Sequence, residues 1–225
     1  MTAKSIDGFD HIPFEPKEFS SEEMLERSRA HFEWQNKRRS IREISSRSFD
    51  RKILENILRA ASTAPSGAHK QPWTFCVVEN PDIKKKIRAA AEEEEKENYN
   101  SRMSDRWLDD LKPFATNWKK PFLEEAPYLV VVFKRVFELV DGEKSNNYYV
   151  NESVGIACGM LISAIHHAGL VTLTHTPSPM NFLSEILNRH ENERPFLLLP
   201  VGFAKKEALV PVLKRKDLDQ VSVFY

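Results

Sequence analysis

Two uninterrupted apolar runs, Tyr128-Leu129-Val130-Val131-Val132-Phe133 and Phe196-Leu197-Leu198-Leu199-Pro200-Val201, constrain this chain more than any other feature. A strand with one wet face alternates apolar and polar residues. A continuous run has no wet face and needs cover on both sides. Both runs therefore read as core strands. Pro200 cannot donate to a ladder, which predicts an edge position or a bulge for the second. Asn151 to Ala168 reads as a long helix whose Gly155, Ala157, Gly159 and Ala164 allow close packing, with Gly169 as its C-cap. At 225 residues, 41% hydrophobic, the chain holds enough apolar material for one domain.

The remaining elements follow from local signals. Ser20 with Glu23 forms a capping box for a helix to about Lys37. A second helix, from about Asp50 to Ser62, lines Ile53, Leu54, Ile57, Leu58 and Ala61 along one face. Trp73 to Val78 reads as a strand, and Asn80-Pro81 opens a helix reaching about Asn100. Residues 138–148 read as a polar loop, Val171 to Thr174 as a short strand and 181–189 as a short helix. Residues 1–19, with Pro13 and Pro16, read as an extended arm before a single domain over 20–225. Residues 101–125 mix Trp107, Phe114, Trp118 and Phe122 with charges and two prolines. That pattern suits a lid over a ligand, and it suits an irregular surface helix pair as well. From about 204 to 225 a polar tail carries Leu209, Val212, Leu213, Val221 and Phe224. An arm embracing a second subunit would cover them.

Several function classes are poorly supported. Lys+Arg and Asp+Glu are both 33, so no net field draws a nucleic acid. Cys76 and Cys158 lie far apart in apolar runs and read as buried reduced thiols, which suits a cytoplasmic setting. No signal peptide is visible at the start, and the longest apolar helical run, Val154 to Ile165, is too short for a bilayer. With seven glycines there is no G-x-G-x-x-G and no Walker loop. His166 and His167 are adjacent, so a helix points them apart and a metal site is not expected. Ser66 lacks the G-x-S-x-G elbow of a serine hydrolase.

Two segments do carry chemistry. Arg38-Arg39-Ser40-Ile41-Arg42 gathers three guanidiniums and a hydroxyl, groups suited to gripping a phosphate. Such a cluster is also common on solvated surfaces. Thr63-Ala64-Pro65-Ser66-Gly67-Ala68-His69 is a loop between a helix pattern and a strand pattern, where backbone N–H groups can face a ligand. Together they suggest a phosphorylated small molecule bound at loops.

These residues resemble the nitroreductase superfamily. The resemblance rests on the arginine cluster at a helix exit and on Ala64-Pro65-Ser66-Gly67-Ala68 before Gln71-Pro72-Trp73. It also rests on Leu198-Leu199-Pro200-Val201-Gly202. A narrower resemblance is to its iodotyrosine deiodinase family, over residues 20–225. It rests on Ala68-His69, Glu92-Glu93-Glu94-Glu95 followed by Asn98-Tyr99, and Asn117-Trp118-Lys119-Lys120. Val171-Thr172-Leu173-Thr174-His175-Thr176-Pro177, and Val210-Pro211 followed by Leu213-Lys214-Arg215-Lys216, complete it.

The resemblance implies an α+β fold, a three-layer α/β/α sandwich with a central mostly antiparallel sheet, in a domain-swapped homodimer with shared sites. It implies a lid at about 95–125 and FMN as cofactor. Arg38, Arg39, Ser40 and Arg42 resemble the phosphate and ribityl grip, and Ser66 and Gly67 the loop along the flavin. Thr174, His175 and Thr176 resemble the segment at the isoalloxazine edge, and Arg215 a late basic contact. His175 stands where the family pattern has threonine, and a backbone contact survives that change. Glu95 would take a substrate ammonium, Lys120 a substrate carboxylate, and Tyr99 a hydrogen bond at the same zwitterion. Glu92, Glu93 and Glu94 read as a solvated acidic face. The Ala68 N–H would meet a phenolate oxygen, and the Thr176 hydroxyl would tune the flavin. The implied activity is reductive dehalogenation of iodotyrosine, with bromo- and chlorotyrosine accepted. The electrons would come from NADPH or a flavin reductase partner. No nucleic acid or membrane partner is expected. The alternative is a general FMN-dependent NAD(P)H nitroreductase or quinone reductase.

Overall fold

The computed structural model describes residues 3–225. Met1 and Thr2, the first two positions of the expected arm, lie outside the described residues. Two compact units emerge, one ending at Arg38 and the other spanning Arg39–Tyr225.

In the first unit the arm is not wholly extended. β1 (Lys4–Ile6) and β2 (Phe9–His11) pair as an antiparallel hairpin. The turn is Asp7-Gly8, with φ of 51° and 85°, the left-handed pair that closes tight hairpins. α1 (Ser21–Asn36) begins at the expected capping box: Ser20 Oγ accepts from Glu23 N, and Glu23 Oε2 accepts from Ser20 N.

The second unit carries the remaining elements. α2 (Arg51–Ala61) is capped by Asp50 and buries Leu54, Ile57 and Ala61. β3 (Trp73–Val78) precedes α3 (Pro81–Glu97), where Asn80 Oδ1 accepts from Asp82 N and Ile83 N. α3 runs into one π-type turn at Asn98–Arg102, then α4 (Asp105–Leu111) and α5 (Phe122–Glu125). β4 (Tyr128–Arg135) follows. The polar stretch after it is a hairpin rather than a loop: β5 (Phe137–Val140) and β6 (Glu143–Asn146) turn at Asp141-Gly142. α6 (Val150–His167), β7 (Val171–Thr172), α7 (Phe182–Ile186) and β8 (Glu193–Gly202) complete it.

The central sheet has the order β3-β4-β8-β7, antiparallel throughout. Successive side chains of a strand point to opposite faces. Val130, Val132, Leu199 and Val201 therefore pack with Leu54, Ile57, Val154 and Leu161 of α2 and α6. Leu129, Val131, Phe133 and Leu198 pack with Ile87, Leu123 and Leu183 of α3, α5 and α7. Helices cover both faces, which is why the two strands read as unbroken apolar runs. The α+β reading with an antiparallel sheet holds.

The position of Pro200 differs from expectation. β8 is interior, and the irregular register falls between Val132 and Phe133. Pro200 is accommodated on the β7 side. β7 pairs Val171 with Gly202 and Thr172 with Val201, and His175 bridges Leu198 in the same register. Pro200 therefore falls opposite Leu173, where the ladder is interrupted and a missing N–H costs least.

A further segment lies alongside β7. Ile41 N donates to Thr172 O at 3.1 Å, and Ser40 bridges Thr172 in parallel fashion. Ile44, fully buried, bridges Ala204. This pairing draws the arginine cluster to the chain that leaves β7. The C-terminal segment is tied by Leu209 N to Glu43 Oε2 and by the Arg39 guanidinium to the Pro211 carbonyl. Beyond it Val212, Val221, Val223 and Phe224 are exposed. Among the described residues no helix is long and apolar enough to cross a membrane.

Candidate functional site

A cleft of about 630 Å³ opens between the end of α3, the 101–120 segment and the chain after β7. Arg42, Glu95, Tyr99, Lys120, Thr174, His175 and Thr176 all line it. Sequence separations of more than a hundred residues collapse here for two reasons. The Ser40–Thr172 bridge brings Arg42 to the β7 exit. The Ile87 and Ala91 face of α3 is buried on the sheet and carries Glu95 to the same edge.

Glu95 and Lys120 pair with each other in this chain, Oε2 to Nζ at 3.3 Å, with side chains 11% and 6% exposed. The turn holding Lys120 is itself fastened. Glu92 Oε1 accepts from Lys120 N at 2.6 Å and from Arg88 Nε at 2.7 Å, and the Lys120 ammonium donates to the Asn117 carbonyl. Glu92 is thus no part of a solvated face, and Glu94 pairs with Arg102 at 2.6 Å; only Glu93 is exposed as expected. Burial lowers the Lys120 ammonium below its ordinary pKa, and the Glu95 carboxylate opposes that shift. Burial also raises the Tyr99 phenol, while a Thr116 hydrogen bond pulls it down.

The strand after β7 alternates. Leu173 and His175 are buried, whereas Thr174 and Thr176 are exposed. His175 is fixed through its backbone, N to Leu198 O at 2.9 Å and O from Leu198 N at 3.1 Å. Its ring meets Phe122 edge-on at 5.6 Å, and its Nδ1 lies 3.9 Å from Glu95 Oε1. Burial, with the Lys120 and Arg42 cations, pushes its pKa down to about 3, so it is neutral at ordinary pH. Arg42, lowered by burial, stacks 5.6 Å from the Phe114 ring and meets no carboxylate among the described residues.

Other expected residues lie elsewhere. Arg38 ends the first unit, and Arg39 and Ser40 flank β7 without lining the cleft. Arg215 sits on the exposed C-terminal segment. Ser66, Gly67 and Ala68 are also outside the cleft lining. Their loop is tightly built: Ser66 Oγ accepts from Gln71 N at 2.9 Å, and Ala68, His69 and Gln71 all adopt positive φ near 50°. Such non-glycine conformations cost of order 1–3 kcal/mol each and persist only when neighbours enforce them. A Cβ on Gly67 would stand 2.9 Å from the Tyr149 ring and 3.1 Å from Tyr148 O, so the loop is wedged against the start of α6.

Sequence reasoning missed Arg102, Met103, Thr116, Ser178 and Pro179 among the lining. Asn98 Nδ2 and Arg102 Nη1 both reach Ser178 O, at 3.1 and 3.3 Å, and tie the end of α3 to the β7 exit. A signal was available, because Glu95, Asn98 and Arg102 follow the spacing of one helical face.

The sequence model of the nitroreductase family matches residues 36–203. The chain is 60% identical over 215 residues to the iodotyrosine deiodinase of Haliscomenobacter hydrossis, covering 95% of this chain and 97% of that one. It is 48% identical over 222 residues to iodotyrosine deiodinase 1 of Homo sapiens, covering 98% of this chain and 77% of the relative. Among solved structures it matches an oxidised iodotyrosine deiodinase bound to FMN and 3-iodo-L-tyrosine, with a TM-score of 0.74 and 29% identity. That match covers 86% of this chain and 99% of the other. This chain belongs to the nitroreductase family and, within it, to the iodotyrosine deiodinases.

Proposed function

We propose that this chain removes halogen from halotyrosines reductively with FMN as its cofactor. One observation carries the reading: a buried carboxylate and a buried ammonium, Glu95 and Lys120, are held 3.3 Å apart in a cleft whose other wall offers Arg42, Thr174 and Thr176. Opposite charges side by side match the head group of an amino acid. Bromo- and chlorotyrosine fall within the same reading.

The residues present suit FMN. Arg39 and Arg42 are guanidiniums without a carboxylate partner among the described residues, as a phosphate site requires. With Arg38 and Ser40 they would hold the phosphate and ribityl end. Thr174, His175 and Thr176 would lie along the ring, Ser66 and Gly67 would pack on it, and Arg215 would add a late basic contact. Bound FMN supplies the two electrons of the reaction, in which the C–I bond breaks, a C–H bond forms with one proton, and iodide leaves. NADPH or a separate flavin reductase would restore the reduced cofactor.

The chain's own groups do the binding and the selection. Glu95 takes the substrate ammonium, Lys120 its carboxylate, and Tyr99 a hydrogen bond at the same head group. The Ala68 N–H faces the phenolic oxygen. An ortho halogen lowers a phenol below its usual pKa of about 10, so halotyrosine ionises more readily than tyrosine. The Thr176 hydroxyl would donate to the bound cofactor and tune it. Ser66, Gly67 and Ala68 lie apart from the cleft lining in one chain. A homodimer in which the second copy contributes that loop would assemble both halves, and the exposed apolar C-terminal segment suits an embracing arm.

Two expected outcomes test this reading. Anaerobically reduced holoprotein mixed with diiodotyrosine should return to the oxidised flavin spectrum and release iodide. Reoxidation by a nitroaromatic alone, with no iodide formed, would favour the general nitroreductase. Gly67→Ala should push its loop off Tyr148 and Tyr149, costing about 1–3 kcal/mol and weakening FMN. An unchanged flavin dissociation constant in equilibrium dialysis would separate that loop from the cofactor.

A further inference from the structure

The His175 side chain, buried at the cleft, takes no part in the proposed binding of the substrate head group. Its Nε2 is shielded from water and has no hydrogen-bond partner among the described residues. Its backbone is bolted to the central strand at Leu198, and its ring is set against Phe122. The strand alternation turns it away from the face of Thr174 and Thr176 and toward α3, where Nδ1 faces Glu95 Oε1 at 3.9 Å. Glu95 spends its other oxygen, Oε2, on Lys120.

The tautomer follows from this geometry. A neutral imidazole carries one N–H. With the proton on Nδ1, an N–H faces the carboxylate oxygen. With the proton on Nε2, two lone pairs would face each other and a buried donor would lie unsatisfied. The Nδ1–H form is therefore the stable one, and the low pKa of the ring keeps it uncharged.

We infer that His175 is a positioning residue for Glu95: its Nδ1 lies 3.9 Å from Oε1, beyond hydrogen-bond reach while Glu95 pairs with Lys120, and its N–H closes on the carboxylate from the sheet side when Lys120 turns to another anion, so that Glu95 keeps its aim. This rests on the reading of Glu95 as the ammonium site. When a substrate carboxylate draws Lys120 away, the internal ion pair is lost and His175 still faces the Oε1 side. Being neutral, it orients the carboxylate without cancelling its charge. The full negative charge stays available to an amine. His175 thereby sets a preference for amino acids over halophenols that lack the amine.

The test compares two ligands on oxidised holoprotein, each titrated by quenching of flavin fluorescence. One is 3-iodo-L-tyrosine. The other is 3-(4-hydroxy-3-iodophenyl)propanoate, the same molecule without its amine. His175→Phe keeps a ring and removes the donor, and it should weaken iodotyrosine binding about tenfold while leaving the deaminated ligand within about twofold. His175→Asn places an N–H close to the Nδ1 position and should restore most of the preference. If His175→Phe fails to retain FMN, His175→Leu carries the same comparison. Equal weakening of both ligands, or of neither, overturns the inference. Glu95→Gln separates the two layers. If it abolishes the preference for the amine while His175→Phe does not, the role of His175 alone is wrong. If it leaves the preference intact, the ammonium site lies elsewhere.

Discussion

Glu95→Gln should weaken 3-iodotyrosine binding roughly 10- to 100-fold while the protein keeps its full complement of FMN. A charge-assisted hydrogen bond in a dry site contributes about 1.5–3 kcal/mol, and the amide cannot replace it. The loss should sit at the upper end because of Lys120. Burial already lowers that ammonium, and the Glu95 carboxylate is the largest opposing influence. Without it, burial lowers the Lys120 ammonium further. The variant therefore weakens both halves of the clamp. Calorimetric titration with iodotyrosine gives the affinity, and the visible flavin band gives the occupancy. Equal affinity for both proteins would remove Glu95 from the site, and loss of flavin would assign it to the cofactor instead.

The second large effect is on stability. Leu123→Ala should cost about 2–5 kcal/mol, with a fall in Tm of order 10 °C for a chain of this size. Leu123 is fully buried among Ile87, Ala91, Leu129 and Phe122, and its N–H closes the turn on the Lys120 carbonyl at 3.0 Å. The cavity therefore opens directly beneath Lys120. Thermal unfolding followed by circular dichroism should show the drop, and iodotyrosine affinity should fall with it. A drop in Tm with unaltered substrate affinity would mean that the sheet-side core does not position Lys120.

The layers of the fold were legible because burial leaves a mark on composition. Val130, Val131 and Val132 face opposite cores in turn, and a strand enclosed on both faces has to be apolar throughout. Caps were legible for a similar reason, since Ser20 and Asn80 satisfy backbone donors that would otherwise be exposed. Pro200 misled because strand position is a property of the assembled sheet. The proline is interior, but its missing donor faces a gap opposite Leu173. The Asp7-Gly8 and Asp141-Gly142 hairpins carried the turn residues that announce them, within stretches otherwise polar or exposed.

The cleft was legible only in pieces. Arg42, Glu95, Tyr99, Lys120 and Thr174 to Thr176 converge as the motifs implied. That Glu95 and Lys120 would bind one another could not be read, since it depends on the turn that Glu92 fastens. Nor could the direction of His175, which is set by the register against Leu198. The remaining expected residues, Arg38 to Ser40, Ser66 to Ala68 and Arg215, lie outside the single-chain cleft, a placement that no local pattern encodes.

A crystal structure of the FMN-loaded protein soaked with 3-iodo-L-tyrosine tests the zwitterion clamp most directly. The substrate nitrogen should lie within hydrogen-bond distance of a Glu95 oxygen and its carboxylate within reach of Lys120 Nζ, with the internal Glu95–Lys120 pair opened. A ligand bound with both side chains still paired to each other, or turned so that neither meets its head group, would contradict it.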